Sequence, residues 1–237
     1  MDLISLAIET TCPRGGVCLG RGARIVASDT FDASQRHATH LVSKLKALLD
    51  SQGARPGDLN ELYVSAGPGS FTGTRVGITV ARTLGQAIAG LRCVRVPTPW
   101  ALAQQALALE WRHLAVIGDT AHGGAHVSFF DRGQSGFEPL QALVLTAGQL
   151  LESASRPILV IGEGLKFGSL ASALAGAAGI EMPPMNSPFH LPTAEAVWQV
   201  GAALARKGQF TPYQMLLPIY SRPPEALRLW QKLHGDE

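Results

Sequence analysis

From Ser65 to Gly90 the chain reads SAGPGSFTGTRVGITVARTLGQAIAG. Three glycines and a proline fall between Gly67 and Gly73, and a proline-free periodic run follows. A glycine-rich loop ahead of a helix raises the question of a phosphate site. A Walker loop needs G-x-x-x-x-G-K-[ST], but Thr74 and Arg75 follow Gly73, and no lysine occurs between Lys46 and Lys166. A dinucleotide fingerprint needs G-x-G-x-x-G, and "GPGSFT" has Thr72 at the third glycine. What remains is an anion-friendly helix N-terminus, or simply a tight strand-to-helix turn with Thr72 as N-cap.

The run itself predicts a helix from about Gly73 to Gly90. Gly73, Gly77, Ala81, Gly85 and Ala89 form a row of small residues spaced by four, and Val76, Val80, Leu84 and Ile88 form a parallel apolar row. The polar members Arg75, Thr79, Arg82, Thr83 and Gln86 crowd into an arc of about 100°. Each mid-helix glycine costs about 1 kcal/mol against alanine, so Gly77 and Gly85 call for a compensating contact. Close helix–helix approach is one, with the helix expected at 37–50 or a helix of another chain as neighbour. The alternative is that the glycines only accommodate the sheet or an adjoining loop.

Outward from this helix, "LISLAIE" reads as a buried strand, "TTCPRGG" as a turn, and "VCLGRGARIVASDTF" as two strands around Gly20-Arg21-Gly22. Leu41, Val42, Leu45, Leu48 and Leu49 share one helical face. "ELYVSAG" and "CVRVP" are strands on either side of the opening helix. The order is β-β-β-α-β-α-β. It recurs: a helix at 99–111, strands in "HLAVIGD", "AHVSFFD" and "FEPLQALVL", a helix in "TAGQLLES", a strand in "RPILVIG", a helix in "KFGSLASALAGA" and a strand in "IEMPPM". "LAIETTCPRGGVCL" and "LAVIGDTAHGGAHVSF" each show strand, acid-Thr, Gly-Gly, strand. The expectation is a duplicated α/β architecture with an N-terminal lobe over 1–98, a C-terminal lobe over 99–217 and a C-terminal tail and helix over 218–237.

Composition sets the bounds. Hydrophobic residues make up 46% of 237 and charged residues 16%, with a net charge of +2 and no Lys/Arg block that would argue for a nucleic-acid surface. The light charge leaves room for an apolar partner surface. Three cysteines, Cys12, Cys18 and Cys93, without C-x-x-C spacing fit a reduced cytoplasm rather than a disulfide framework or cysteine zinc site. "MDLISLAIETTC" does not read as a signal peptide. No apolar run approaches the about 20 residues that span a bilayer.

"LAIETT", "QRHATHLVSKLKALL", "GPGSFTGTRVGITVARTLGQA" and "LPIYSRP" resemble, in that order, the TsaB (YeaZ) family. The resemblance covers most of the chain. It implies a two-lobed actin/Hsp70/sugar-kinase-like fold of the RNase H-like type. It also implies a partner subunit, without catalysis of its own, in making threonylcarbamoyladenosine on tRNA. The implied partners are a TsaD-like catalytic paralogue and a TsaE-like P-loop ATPase, with tRNA met only within the complex and a homodimer when the chain is alone. The chain departs from the pattern at Glu9, where the family has Asp, after Asp119, where Thr120 and Ala121 replace the usual arginine motif, and at Ser221.

His37 and His40 are spaced by three at a helix start, without a third ligand, so no metal is expected there. Ser70 has no Gly-x-Ser-x-Gly elbow. "ETT" and "DTA" lack the glycine with which actin-like ATPases approach phosphate. No cofactor is expected. The expected partner interface is the pair of helices, through His37, His40, Leu41, Gly73, Arg75, Gly77, Ala81 and Gly85. Glu9, Thr10, Gly69, Ser70 and Asp119 are the positions for any residual nucleotide or anion contact. The rival reading is an ATP-dependent phosphotransferase or a metallopeptidase of the same fold.

Overall fold

The computed structural model describes residues 3–32, 37–121, 124–133, 141–166, 169–220 and 230. The first half runs β1 (Ile4–Glu9), β2 (Arg14–Arg21), β3 (Arg24–Asp32), α1 (His37–Ser51), β4 (Glu61–Ser65), α2 (Phe71–Ala87) and β5 (Arg92–Val96). The second runs α3 (Thr98–Gln105), β6 (His113–Ala121), β7 (Gly124–Asp131), β8 (Gln141–Leu145), α4 (Ala147–Ser153), β9 (Ile158–Ile161), α5 (Leu170–Leu174), β10 (Ile180–Glu181) and α6 (Ala194–Arg206). The two five-stranded sheets have the orders β3-β2-β1-β4-β5 and β8-β7-β6-β9-β10. In each, an antiparallel meander is extended by two parallel strands. This is the duplicated α/β architecture that the recurring strand–turn–strand pattern predicts, in the two-lobed form that the family resemblance implies.

β1 is buried on both faces, and its alternation shows why. Ile4, Leu6 and Ile8 join Leu41, Leu45, Leu48 and Ile78 beneath α1 and α2. Ala7 faces the opposite layer, where α6 lies. On that side the small Ser5 leaves room for Trp198, whose indole N–H donates to the Ser5 hydroxyl at 2.8 Å. The second sheet is covered by Leu150, Leu165, Leu170 and Leu174 on one face. Leu102 and Ala103 of α3, with Ala106 just beyond its end, pack against Leu114, Val116 and Phe130 on the other.

Helix α6 is the element that the sequence reading passed over. It is capped by Thr193, whose hydroxyl accepts from the Ala196 amide at 3.3 Å. It follows the second sheet in the chain yet packs on the first, with Val197, Val200 and Leu204 in the core beside Tyr63 and Val94. The segment after it returns to the first lobe as well: Leu216 is buried among the residues of α1 and α2, and the Ile219 amide donates to the Ala66 carbonyl at 2.6 Å. Packing therefore makes the first lobe discontinuous in sequence, unlike the linear division at residue 98.

Boundaries shift at several ends. β2 begins at Arg14, inside the expected turn. α3 gives way to a 3₁₀ turn at Ala106–Ala108. α2 begins two residues early, because Ser70 rather than Thr72 is its cap: the Ser70 hydroxyl accepts from the Gly73 amide at 3.2 Å.

Candidate functional site: an inter-lobe cleft and a helix-pair groove

The glycine loop between β4 and α2 lies across the turn that follows β1. The Ser70 amide donates to the Thr11 carbonyl at 2.7 Å, and the Gly67 amide donates to the Thr98 hydroxyl at 3.1 Å. Gly67 has φ +94° and passes so near the tail that a Cβ would stand 2.6 Å from the Ile219 carbonyl oxygen. Two of the amides that a phosphate cradle would use are thus spent within the chain, and the loop is a seat for α2.

Beneath the loop lies a hydroxyl network. Thr11 donates from its hydroxyl to Glu9 Oε1 at 2.6 Å, and its amide also donates to that oxygen. Ser65 and Thr98 share a hydrogen bond at 2.9 Å, and Thr98 donates to Thr11 at 3.2 Å. Glu9 and Thr10 are fully buried. Burial pushes the Glu9 carboxyl above the usual range, against the lowering effect of the Thr11 and Ser65 hydrogen bonds. Its second oxygen, Oε2, has no partner among the described residues. Of the positions expected to meet an anion, Glu9 and Thr10 are turned into the core, while Gly69 and Ser70 line a cleft between the lobes. Asp119 lies on β6, but its side chain is outside the described residues.

That cleft has a volume of about 430 Å³. Thr11, Pro68 and Phe71 reach it from the first lobe, and Ile117, Gly118 and Glu163 from the second. Thr11 and His190 were not singled out in the sequence, because about 180 residues of chain separate them. Among the described residues no three His, Cys, Asp or Glu side chains come together as a metal site.

A second concavity, about 580 Å³, runs between α1 and α2. Val42, Leu45, Leu49, Val80 and Leu84 line it, with Lys46, Asp50 and Thr83 among its polar members. Val42 is 55% exposed. The side of α2 that faces this groove is the valine–leucine row, not the small row. Gly73, Gly77, Ala81 and Gly85 are buried against their own chain. The Thr10 carbonyl oxygen occupies the place of a Gly73 Cβ, and the Thr10 hydroxyl that of a Gly77 Cβ. Tyr213 Cβ stands 2.5 Å from that of Gly85. Leu41 is buried too. These five positions offer no surface to a second molecule, which corrects the expectation of a small-residue contact ridge. His40 and Arg75 are exposed; the side chain of His37 lies outside the described residues. Arg75 stacks its guanidinium 3.8 Å over the Phe71 ring and donates from Nε to the Tyr220 hydroxyl at 2.9 Å.

Two sheets of this order, a buried acid at the end of the first strand and a cleft between the lobes define a two-lobed actin-like protein. Within that class, a family model described as TsaD, tRNA N6-adenosine threonylcarbamoyltransferase, matches residues 29–124. The tRNA threonylcarbamoyladenosine biosynthesis protein TsaB of Escherichia coli (strain K12) is 27% identical over 98% of this chain and 99% of its own. The protein of the same name from Bacillus subtilis (strain 168) is 27% identical over 66% of this chain and 69% of its own. YeaZ from Pseudomonas aeruginosa has the same fold, with a TM-score of 0.75 at 21% identity over 92% of this chain and 99% of that one. The chain is thus similar along nearly all of its length to proteins named TsaB, and it shares the fold of YeaZ. Among the described residues no helix is long and apolar enough to cross a membrane.

Proposed function

We propose that this chain is a partner subunit in the biosynthesis of threonylcarbamoyladenosine on tRNA, binding and activating a TsaD-like catalytic subunit without catalysing the transfer itself. The observation that carries the reading is the open apolar groove between α1 and α2, in a chain similar over its whole length to a protein named for that pathway. The TsaD family model covers both helices, so a TsaD-like paralogue would bring a corresponding helix pair to the contact. An exposed apolar groove with few charges is the kind of surface that a lasting partner covers. Activation then requires that the contact favour the competent state of the catalytic subunit over the incompetent one. In this reading a TsaE-like P-loop ATPase completes the assembly in the cytoplasm, tRNA is met within the complex, and the same groove pairs two copies when the partner is absent.

Reconstitution tests it. The chain, TsaD-like and TsaE-like proteins, tRNA and the activated carbamoyl donor are combined, and modified adenosine is counted per tRNA. Repeated turnover is expected only with every component present. Full modification without this chain, or modification by this chain alone, would overturn the reading and favour the enzymatic rival.

A further inference from the structure

We propose that the inter-lobe cleft is a binding site for a small organic cation, an ammonium group carried on a flat apolar body, rather than for a nucleotide. The volume of about 430 Å³ falls in the range of small-molecule sites, roughly 300–1,000 Å³. The charge in the cleft decides the class of ligand. Among the described lining residues, Glu163 is the one charged side chain, and no lysine or arginine is present. His190 is fully buried and engaged within the chain: its Nδ1 accepts from the Gly162 amide at 3.2 Å, and its Nε2 faces the Pro183 and Pro184 carbonyls at 3.2 and 3.1 Å. Arg75 is held on Phe71 and Tyr220 and does not line the cleft, and Lys166 lies outside it too.

A phosphate would meet a carboxylate here and find the Gly67 and Ser70 amides already engaged. A cation would meet Glu163, half-buried and without a hydrogen-bond partner among the described contacts. Behind Thr11 lies a second acid, Glu9, whose Oε2 is buried without a hydrogen-bond partner among the described residues. Burial pushes both carboxyls upward, Lys166 opposing it at Glu163, and the Glu163 charge raises Glu9 further. A bare metal ion fits less well, because no three ligating side chains converge among the described residues. The remaining walls, Pro13, Pro68, Leu102, Ile117 and Pro192, with the 51%-exposed Phe71 ring at the edge, suit a flat hydrocarbon body.

The test uses the chain alone, so its outcome is separate from that of the pathway reading. Isothermal titration and backbone NMR compare 2-phenylethylammonium, its neutral analogue 2-phenylethanol, and magnesium-ATP. The ammonium compound is expected to bind saturably, about tenfold or more tighter than the alcohol, and to shift Gly118 and Gly164. Glu163→Gln should bring the amine down to the affinity of the alcohol, and Phe71→Ala should weaken both. Equal affinity of amine and alcohol in the wild-type chain, tighter binding of magnesium-ATP, indifference to Glu163→Gln, or no saturable amine binding would each overturn the proposal.

Discussion

The carbonyl oxygen of Thr10 occupies the space where Gly73 would carry a Cβ. The first turn of α2 thus rests directly on the backbone that leaves β1, and the Thr10 hydroxyl continues the contact at Gly77. Backbone cannot swing aside as a flexible side chain can. Gly73→Ala is therefore expected to destabilise the chain by roughly 1–3 kcal/mol, as overpacking does. Gly57→Ala, where nothing lies within 4 Å of the added methyl, is the control and should stay within about 0.5 kcal/mol. Urea unfolding followed by circular dichroism measures both. By the same geometry Gly77→Leu and Gly85→Leu should lower the melting temperature strongly, rather than leave a folded chain that has lost only its partner.

Ser70, at the foot of the same helix, accepts the Gly73 amide through its side chain, and its carbonyl accepts the Thr74 amide at 2.9 Å. Ser70→Ala should cost about 1 kcal/mol. Thr72→Ala, at an exposed position within the first turn, should cost less than half of that. The order of the two melting temperatures decides which residue is the cap.

The fold was legible where its signals are local. Pro13 and Gly15-Gly16, the Gly22 turn, and the change from period two to period 3.6 after residue 37 define the first lobe, and the acid-Thr and Gly-Gly echo at 119–124 announces the second. Helix α6 was equally available, from Thr193 as cap to Gly208 beyond its end, with Val197, Val200 and Leu204 on an inward face. Nothing local says that it crosses back to the first sheet, because that depends on the space above Ser5 and Ala7. The small row of α2 shows the general limit. Spacing tells which residues share a face, but not that the face meets a carbonyl some 60 residues earlier in the chain. The cleft was beyond reach for the same reason.

The groove gives the cleanest separation of folding from assembly. Val42 projects from α1 with more than half of its surface exposed. Val42→Asp should change chain stability by no more than about 0.5 kcal/mol. If the groove receives a TsaD-like partner, a buried, unpaired carboxylate should weaken the complex by about 2 kcal/mol or more, roughly 30-fold. Titration calorimetry of wild type and variant against that partner measures the loss, and light scattering of the isolated chain reads any homodimer at the same time. Unchanged affinity would remove the groove from the interface.

The buried Glu9 carboxyl should leave a signature in the pH dependence of stability. Burial holds its folded-state value above the usual carboxylate range, whereas the unfolded chain titrates near the ordinary value of about 4.3. Between those values the native state binds more protons than the unfolded state. Stability contributed by this group is complete below the unfolded value and is lost as pH rises toward the folded one, by at most about 1.4 kcal/mol per unit of pH. Glu163 shifts in the same direction, also through burial, so the wild-type curve alone does not isolate Glu9. Glu9→Gln does. Glutamine keeps an acceptor for the Thr11 amide and hydroxyl and places an amide where Oε2 has no partner. The new amide adds an offset that does not depend on pH, so the comparison rests on slope. The stability of the variant relative to wild type should rise between pH 5 and pH 8 in matched urea titrations, whatever its sign at pH 5. Parallel curves would mean that Glu9 titrates alike in the folded and unfolded chains, and that its burial carries no electrostatic cost.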